Sequence, residues 1–228
     1  MRRIPSPSTF LIARDVSYID SLLFDDCQRL RCVPDAVIAG IDHQDLMVWC
    51  LKNAVYGLVT EELVAWLKEL IGDRSAIEVG SGNGSLGRAL GITRTDSFIQ
   101  DRVDVALYYI AMGQPIIAYG HDVEKLEAQE AVDKYKPQVV IGSWLTQWID
   151  PELPPPPAGG SIYGIREEEL LRSPSVEAYV VVGNREVHGA KAICRFPYDV
   201  YQFPWIRSRS SRPAGNAIFV WCCGEMGE

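Results

Sequence analysis

The stretch Ala76–Leu90, AIEVGSGNGSLGRAL, decides the fold of this chain. An apolar run containing one acid, Glu78, is followed by clustered glycines and then by the start of a helical pattern. Glycines after a strand let the backbone turn sharply and approach a ligand closely. The helix that follows offers free N–H groups in its first turn. The stretch predicts a strand-turn-helix unit, which either holds a nucleotide-like ligand or is a tight turn without one.

The composition of the whole chain restricts the classes of protein to which it can belong. Its 228 residues suffice for one sizeable domain, or for one domain with an extension. Apolar residues make up 47% and charged residues 23%, as in ordinary globular proteins. The net charge of −8 disfavours a nucleic-acid partner, because phosphate contacts need a basic face, although a local basic patch stays open. No apolar segment is long enough to span a bilayer, so no membrane association is expected.

The six cysteines give no sign of a metal site or of a disulfide framework. None forms a C-x-x-C pair, and no Cys/His cluster has zinc-finger spacing, so no metal is expected. A chain this long and apolar needs no disulfides, and we expect reduced, mostly buried thiols in a cytoplasmic protein.

From Ser75 onward, short apolar runs alternate with helical patterns. Five runs are predicted to be strands: AIEVG (76–80), ITRTD (92–96), PIIAYGHD (115–122), PQVVIGSW (137–144) and EAYVVVGN (177–184). Apolar strands separated by helices predict a parallel sheet with helices on both faces. The last two runs, AKAICRF (190–196) and NAIFVWCC (216–223), have no clear helix between them and predict an antiparallel C-terminal strand pair. We therefore expect an α/β, Rossmann-like, mainly parallel seven-stranded sheet.

The chain before the sheet is predicted to be helical. One helical pattern covers Asp15–Arg31, a second covers His43–Tyr56, and a third begins at the N-cap residue Thr60 and ends at Gly72. Residues 1–73 are thus expected to form an N-terminal helical extension or cap, and residues 74–228 the α/β domain. Within NAVYGLVTEEL (53–63), Asn53 or Tyr56 could join a cover over the ligand site, although ordinary packing is favoured for the tyrosine.

A proline-rich stretch, DPELPPPPAGGSIYG (150–164), interrupts the α/β order. Four consecutive prolines cannot join a helix or a central strand. The stretch leaves the predicted sheet at the carboxyl end of a strand, where open α/β sheets bind ligands. It is therefore either a wall of a pocket or a surface connection.

The glycines of the opening stretch can be aligned in two ways. Gly82, Gly84 and Gly87 satisfy the dinucleotide pattern G-x-G-x-x-G, but Gly80 already precedes them and a pyrophosphate would face the nearby acid. The second alignment, E-x-G-x-G-x-G, uses Glu78, Gly80, Gly82 and Gly84. It resembles motif I of the class I methyltransferases that use S-adenosylmethionine (SAM). In that family the acid helps to hold the cationic methionine part of SAM, which implies this role for Glu78.

Five further positions fit the same resemblance. Asp96 ends the second predicted strand, where a carboxylate suits the ribose hydroxyls of SAM and equally those of NAD. The resemblance places Asp122 and the backbone of Val123 near adenine, while the structural alternative makes Asp122 the N-cap of a helix starting at Val123. Ser143 and Trp144, in GSWLTQW, occupy the motif IV position between SAM and the acceptor.

The acceptor leaves fewer signals. The chain lacks the [NDS]-P-P-[YFW] motif and the Pro-Cys motif of nucleic-acid base methylases, so an acceptor that is a small molecule or a protein side chain is favoured. His188 and His121, near predicted strand ends, are the candidate catalytic bases. Three aromatic residues could stack on a planar acceptor or simply pack: Trp144, Trp148 and Tyr163. The arginines of IRSRSSR (206–212) could meet an anion or lie in a solvated loop.

These patterns predict a SAM-dependent methyltransferase. A non-catalytic module that binds SAM or a nucleoside on the same fold stays open, since no acceptor motif is present. An NAD-dependent oxidoreductase is less favoured, because the second half of the chain contains no Y-x-x-x-K pair.

Overall fold

The computed structural model describes residues 14–152 and 159–222. Within these ranges the strands are β1 (Ala76–Val79), β2 (Thr93–Asp96), β3 (Glu124–Lys125), β4 (Val139–Ser143), β5 (Gln147–Trp148), β6 (Gly160–Ser161), β7 (Ala178–Asn184), β8 (Asp199–Tyr201) and β9 (Asn216–Cys222). The helices are α1 (Asp20–Leu23), α2 (Asp35–Ala39), α3 (His43–Lys52), α4 (Glu61–Ile71), α5 (Ser85–Leu90), α6 (Val103–Ala111), α7 (Ala128–Tyr135), α8 (Glu167–Leu171) and α9 (Arg185–His188).

Seven strands form one sheet in the order β3-β2-β1-β4-β7-β9-β8. The first five of these are parallel, whereas β9 runs antiparallel to both β7 and β8. The predicted α/β, Rossmann-like fold with an antiparallel C-terminal pair is confirmed. The strand order reverses between β1 and β4, and ligands in open α/β sheets bind outside the carboxyl ends of strands at such a switch point.

The central strands are buried because helices cover both faces of the sheet. Alternate side chains of β4 enter opposite cores: Val139 and Ile141 pack with α4 and α5, while Val140 packs with α7 and α8. All seven residues of β7 are buried. The continuous apolar runs of the sequence are thus those of strands buried on both sides.

The N-terminal helices pack around a third core cluster that includes Trp49. Helix α4 is confirmed, since the hydroxyl of Thr60 accepts a hydrogen bond from the Leu63 N–H at 3.1 Å. The single helix predicted over Asp15–Arg31 is wrong, because only a 3₁₀ turn and the short α1 form there. The cause is Asp25, whose Oδ1 accepts hydrogen bonds from backbone N–H groups two and four residues later and so stabilises a turn.

The third predicted strand is also wrong. PIIAYGHD contains no strand, and β3 follows it at Glu124. The backbone N–H of Ile117 donates to the Gln100 side chain at 2.9 Å, so this apolar segment is held by a side chain and not by a neighbouring strand. No helix begins at Val123 either, since α7 starts at Ala128.

The first strand of the predicted C-terminal pair lies elsewhere than expected. AKAICRF contains a 3₁₀ helix at Ala192–Arg195, and the partner of β9 is the exposed β8. Trp221 donates its indole N–H to the Ile193 carbonyl at 3.2 Å, which holds the 3₁₀ segment beneath the sheet. Among the helices of the described ranges, none has the length and apolarity needed to cross a bilayer.

Candidate functional site

A crevice opens at the carboxyl ends of β1 and β4, at the switch point of the sheet. Two adjoining cavities form it, and both are lined by Tyr56, Gly80, Ile117 and Ser143. The glycine turn forms its inner rim, the segment 54–59 from the N-terminal extension forms one side, and Tyr163, Gly164 and Ile165 form another. The end of the proline-rich stretch therefore does wall the crevice, whereas its four prolines lie outside the described residues.

The three glycines of the turn are each required by backbone conformation and by a close neighbour. Gly80, Gly82 and Gly84 all have positive φ angles, of 58°, 54° and 71°. A Cβ atom on Gly80 would overlap a methyl group of Leu145, and one on Gly82 would lie 3.3 Å from Ile117. Both of these apolar side chains also line the crevice. They contact the turn at the place where the sequence pattern predicts a ligand.

Glu78 points from β1 toward the first turn of α5. Its Oε2 accepts a hydrogen bond from the Gly87 N–H at 2.8 Å, and the residue is only 1% exposed. Burial raises the pKa of this carboxyl to about 8, so it is mostly protonated at neutral pH. A Cβ on Gly87 would lie 2.6 Å from Oε2. Gly87, the third glycine of the dinucleotide pattern, is therefore explained here by the space that the buried carboxyl of Glu78 requires.

Asp96 ties the turn to the end of β2. Its Oδ2 accepts from the Gly82 N–H at 2.9 Å, and its Oδ1 accepts from the Phe98 N–H at 3.0 Å. Burial raises the pKa of this carboxyl. Phe98 itself has a φ of 56°, and its ring stacks on Tyr119 with the centroids 4.2 Å apart. Asp96 and Tyr119 both line the crevice, which puts an acid beside aromatic surface as a nucleoside site requires. The ribose role of Asp96 stays a prediction.

Asp122 is bound by a guanidinium. Arg88 donates to both of its oxygens, at 2.9 and 2.8 Å, and Arg94 lies at 3.5 Å. The hydrogen bond from Arg88 is the main reason that the pKa of Asp122 falls to about 2. The N-cap alternative is wrong, since no helix starts at Val123. The Val123 side chain packs under the turn instead, 2.7 Å from where a Cβ on Gly84 would lie. In its predicted role, the Asp122 carboxylate would contact adenine while it remains paired with Arg88.

Trp144 follows β4 in a backbone conformation that is unusual for a large side chain. Its φ is 58°, and its N–H donates to the Val182 carbonyl at 2.8 Å. Such a conformation costs about 1–3 kcal/mol and is found mainly at functional sites. Trp144 lines the crevice beside Ser143, and a Cβ on Gly57 would lie 2.9 Å from its indole nitrogen. The motif IV segment therefore contacts the N-terminal side of the crevice directly.

The two candidate histidines lie apart, and neither is among the described residues that line the crevice. His188 is 2% exposed, and its Nδ1 accepts from the Asn184 N–H at 2.9 Å. Burial lowers its pKa to about 3, so the ring is neutral, and it contacts Trp144 edge-on with centroids 5.3 Å apart. His121 lies in a neighbouring cavity beside Arg88. Their catalytic roles stay predictions, and His188 contacts Trp144, which lines the crevice.

The structure brings together two of the three aromatic residues predicted for the acceptor. Trp144 and Tyr163 line the same part of the crevice, and Tyr163 contacts Tyr108 edge-on at 5.8 Å. Trp148 lies in another cavity, where the Arg166 guanidinium covers its ring at 3.7 Å. The geometry therefore offers two aromatic faces beside the glycine turn.

The side of the crevice nearest solvent depends on a contact between distant parts of the chain. The Leu58 N–H donates to the Arg207 carbonyl at 2.9 Å, and the Arg209 N–H donates to the Tyr56 carbonyl at 3.1 Å. The Arg209 guanidinium stacks on the Tyr56 ring at 3.6 Å. Nothing in the sequence pairs these two segments. Arg207 and Arg209 of IRSRSSR are therefore half-buried and hold the segment that lines this side of the crevice.

Comparisons with known proteins give only distant similarities. No protein-family model matches the chain, and no curated protein matches it. A hypothetical protein of Thermus thermophilus is similar in structure at 15% identity, covering 70% of this chain and 82% of the other, with a TM-score of 0.36. A Thermoplasma acidophilum protein gives 16% identity, 78% and 86% coverage and a TM-score of 0.33.

A third solved structure, SMU.776, is that of a candidate methyltransferase complexed with SAH. Its identity is 8%, the match covers 78% of this chain and 48% of the other, and the TM-score is 0.32. Similarities at this level assign no residue a role, so a function is inferred below from the crevice itself.

Proposed function

We propose that this chain binds SAM in the crevice and transfers its methyl group to a small molecule or a protein side chain. The observation that carries the proposal is a buried acid, Glu78, beside a turn of three glycines at the switch point of the sheet. A ligand there meets a carboxyl group at the end of β1 and, in Asp96, a second one at the end of β2.

The chemistry of these two acids favours SAM over a dinucleotide. The carboxyl of Glu78 is mostly protonated at neutral pH because ionising it in a buried site is unfavourable. A nearby sulfonium or ammonium would favour the ionised form and lower its pKa. A pyrophosphate would meet either a neutral acid or a like charge, and like charges in such a site repel.

Methyl transfer from SAM requires mainly alignment, because the sulfonium already activates the methyl group. Holding donor and acceptor in line can lower the barrier by about 7–11 kcal/mol. Trp144 and Tyr163 provide the aromatic faces that would orient a planar acceptor. Among the described residues no histidine lines the crevice, which suits an acceptor that reacts without first losing a proton to an imidazole.

Calorimetry with SAM, SAH and NAD tests the proposal. SAM and SAH are expected to bind at micromolar concentration, and NAD is not. Glu78→Gln should weaken SAM more than SAH, because only SAM carries the sulfonium charge. The control is Glu69→Gln, an exposed glutamate on α4. Binding of NAD alone, or equal losses for SAM and SAH, would contradict the proposed cofactor.

A second candidate function is a binding module without catalysis. The observation that favours it is that Leu145 and Ile117 fill the space against the glycines while neither histidine is among the described residues of the crevice wall. Methyl release from labelled SAM in the presence of thiol, amine and carboxylate acceptors separates the two. Tight SAH binding with no methyl transfer to any acceptor class would favour the module.

A further inference from the structure

A second, larger cavity lies between the N-terminal helices and the glycine turn. It is lined by residues 24, 27–30, 52–55, 83, 88 and 116–121, and we call it the basic cavity. It adjoins the crevice, because four residues line both: Ala54, Val55, Asn83 and Ile117. A molecule in the crevice could therefore extend into the basic cavity.

The charged side chains that line the basic cavity are cationic. Arg29, Lys52 and Arg88 come from three different segments, and no Asp or Glu is among the described lining residues. This is unexpected by composition, since the chain has 30 acidic and 22 basic residues. The cavity thus gathers positive charge in a protein whose net charge is negative.

The cations of the basic cavity retain donors that nothing else uses. Asp25 binds Nε and Nη2 of Arg29, and Asp122 binds Nε and Nη2 of Arg88. In the described part of the chain, Nη1 of each guanidinium has no hydrogen-bond partner. Lys52 donates from Nζ to the Arg14 carbonyl at 2.7 Å and forms no ion pair with a described carboxylate. These donors fit the oxygens of an anion.

Two residues of the lining also have strained backbone. Gln28 has a φ of 59° and Ala54 a φ of 54°, although neither is a glycine. Non-glycine residues in this region are uncommon, and they cluster at ligand sites. Ala54 is one of the residues that line both cavities.

We infer that the basic cavity binds the phosphate or carboxylate group of the acceptor. The acceptor is then an anionic small molecule whose reactive end reaches Trp144 while its charged end contacts Lys52 and Arg29. This assignment rests on the proposed function for its link to methyl transfer. The anion site itself rests only on the cavity, its cations and the strained residues.

Titration with inorganic phosphate, and separately with acetate, tests the inference at constant ionic strength with chloride as the reference anion. Ligand-detected NMR measures the affinity. Lys52→Gln and Arg29→Gln should each weaken phosphate about tenfold or more, since a hydrogen bond to a charged group contributes roughly 1.5–3 kcal/mol. The control is Arg102→Gln, because Arg102 is exposed and pairs with Asp104 outside the cavity.

Phosphate or acetate binding that is lost in the two cavity variants and kept in the control supports the inference. Equal losses in all three variants, or no binding beyond that of chloride, would overturn it. So would binding of a single-stranded oligonucleotide without binding of either small anion. SAH titrated into the same samples tests the proposed function separately, so that SAH binding without anion binding refutes only the basic cavity. Circular dichroism melting of each variant confirms that it folds.

Discussion

The crevice has two rims that are built in different ways. The inner rim is the glycine turn with Glu78 and Asp96. Glu78 accepts a hydrogen bond from Gly87, 9 positions away, and Asp96 accepts one from Gly82, 14 positions away. The outer rim is the pair of segments 56–58 and 207–209. Arg207 ties this rim to α2 through an ion pair with Asp35, which lies 172 positions away in the chain. The comparison shows that the glycine turn is held by local contacts, whereas the opposite rim depends on contacts between distant parts of the chain.

The outer rim also depends on buried amides at the end of the sheet. Asn184 donates to the Asn216 side chain at 3.0 Å, and the Ser208 hydroxyl donates to the same oxygen at 2.9 Å. Asn216 in turn donates to the Ile206 carbonyl at 2.8 Å. Strands β7 and β9 thus position the segment that covers Tyr56.

The largest expected effect concerns the inner rim and pH. Burial raises the pKa of Glu78 from the ordinary value of 4.5 to about 8, so the unfolded chain loses this proton first as pH rises. The stability from the neutral carboxyl is therefore complete below pH 4.5 and falls by about 1.4 kcal/mol per pH unit up to about pH 8, or up to about 5 kcal/mol in all. Urea unfolding of Glu78→Gln from about pH 5 to about pH 8 should lack this slope.

The control for that experiment is again Glu69→Gln, which should keep the slope of the wild type. The same slope in Glu78→Gln would mean that the carboxyl is ionised in the folded protein. The inner rim would then carry a fixed negative charge.

The second-largest expected effect distinguishes the stability cost of a close contact at a glycine from the cost of its backbone conformation. Gly84 and Gly91 flank α5 and have similar left-handed backbone conformations. Gly84 has a φ of 71° and a ψ of 13°, and Gly91 has a φ of 76° and a ψ of 25°. A Cβ on Gly84 would meet Val123 at 2.7 Å, whereas one on Gly91 would meet nothing within 4 Å. Gly91→Ala should cost about 1–2 kcal/mol and Gly84→Ala about 2–5 kcal/mol in the free energy of unfolding. Equal costs in thermal melts would show that Val123 adapts freely.

The third effect concerns the outer rim. Asn216→Ala removes the partner of the Asn184 amide, the Ser208 hydroxyl and the Ile206 carbonyl, and should lower the free energy of unfolding by about 3 kcal/mol. Hydrogen exchange at Tyr56–Leu58 should speed up as well. The exposed Ser211, changed to alanine, serves as the control. A loss of stability without faster hydrogen exchange would show that the buried amides do not hold the outer rim in place.

The smallest effect comes from the ion pair that ties the outer rim to α2. Arg207 contacts Asp35 through Nε at 2.5 Å and Nη2 at 2.9 Å, and both side chains are partly buried. Arg207→Gln should cost about 1 kcal/mol, as partly exposed bidentate pairs do. Arg212→Gln, which breaks the more exposed pair with Glu186, should change stability less. If both variants unfold at the same urea concentration, the ion pair between Arg207 and Asp35 does not stabilise the outer rim.

The sequence predicts the inner rim because its signals are close together in the chain. The apolar run, the acid and the glycines lie within one strand-turn-helix unit, and β1, β2, β4, β7 and β9 are where their patterns place them. The strand predicted over 115–122 failed because an apolar run has the same pattern whether it pairs with a strand or packs against side chains such as Gln100. The edge strand β8 is exposed and has no apolar alternation to reveal it.

The outer rim and the partner of Asp122 could not be predicted. Helix α5 presents Arg88 to Asp122 only after the sheet has formed, and a short motif does not encode such a pairing. The pairing of Tyr56 with Arg209 likewise depends on where α4 and β9 begin, since each residue lies shortly before one of these elements. A hypothesis that Tyr56 joins a cover was available from the sequence, but its partner was not.

The proton on Glu78 has a consequence for the heat of ligand binding. If a cationic ligand ionises this carboxyl, the released proton is taken up by the buffer, and the heat observed in calorimetry includes the ionisation enthalpy of that buffer. At neutral pH, SAM binding measured in Pipes and in Tris should differ in heat although the affinity is the same. The slope of heat against buffer enthalpy then counts protons, and a value near zero would mean that Glu78 keeps its proton when the crevice is filled.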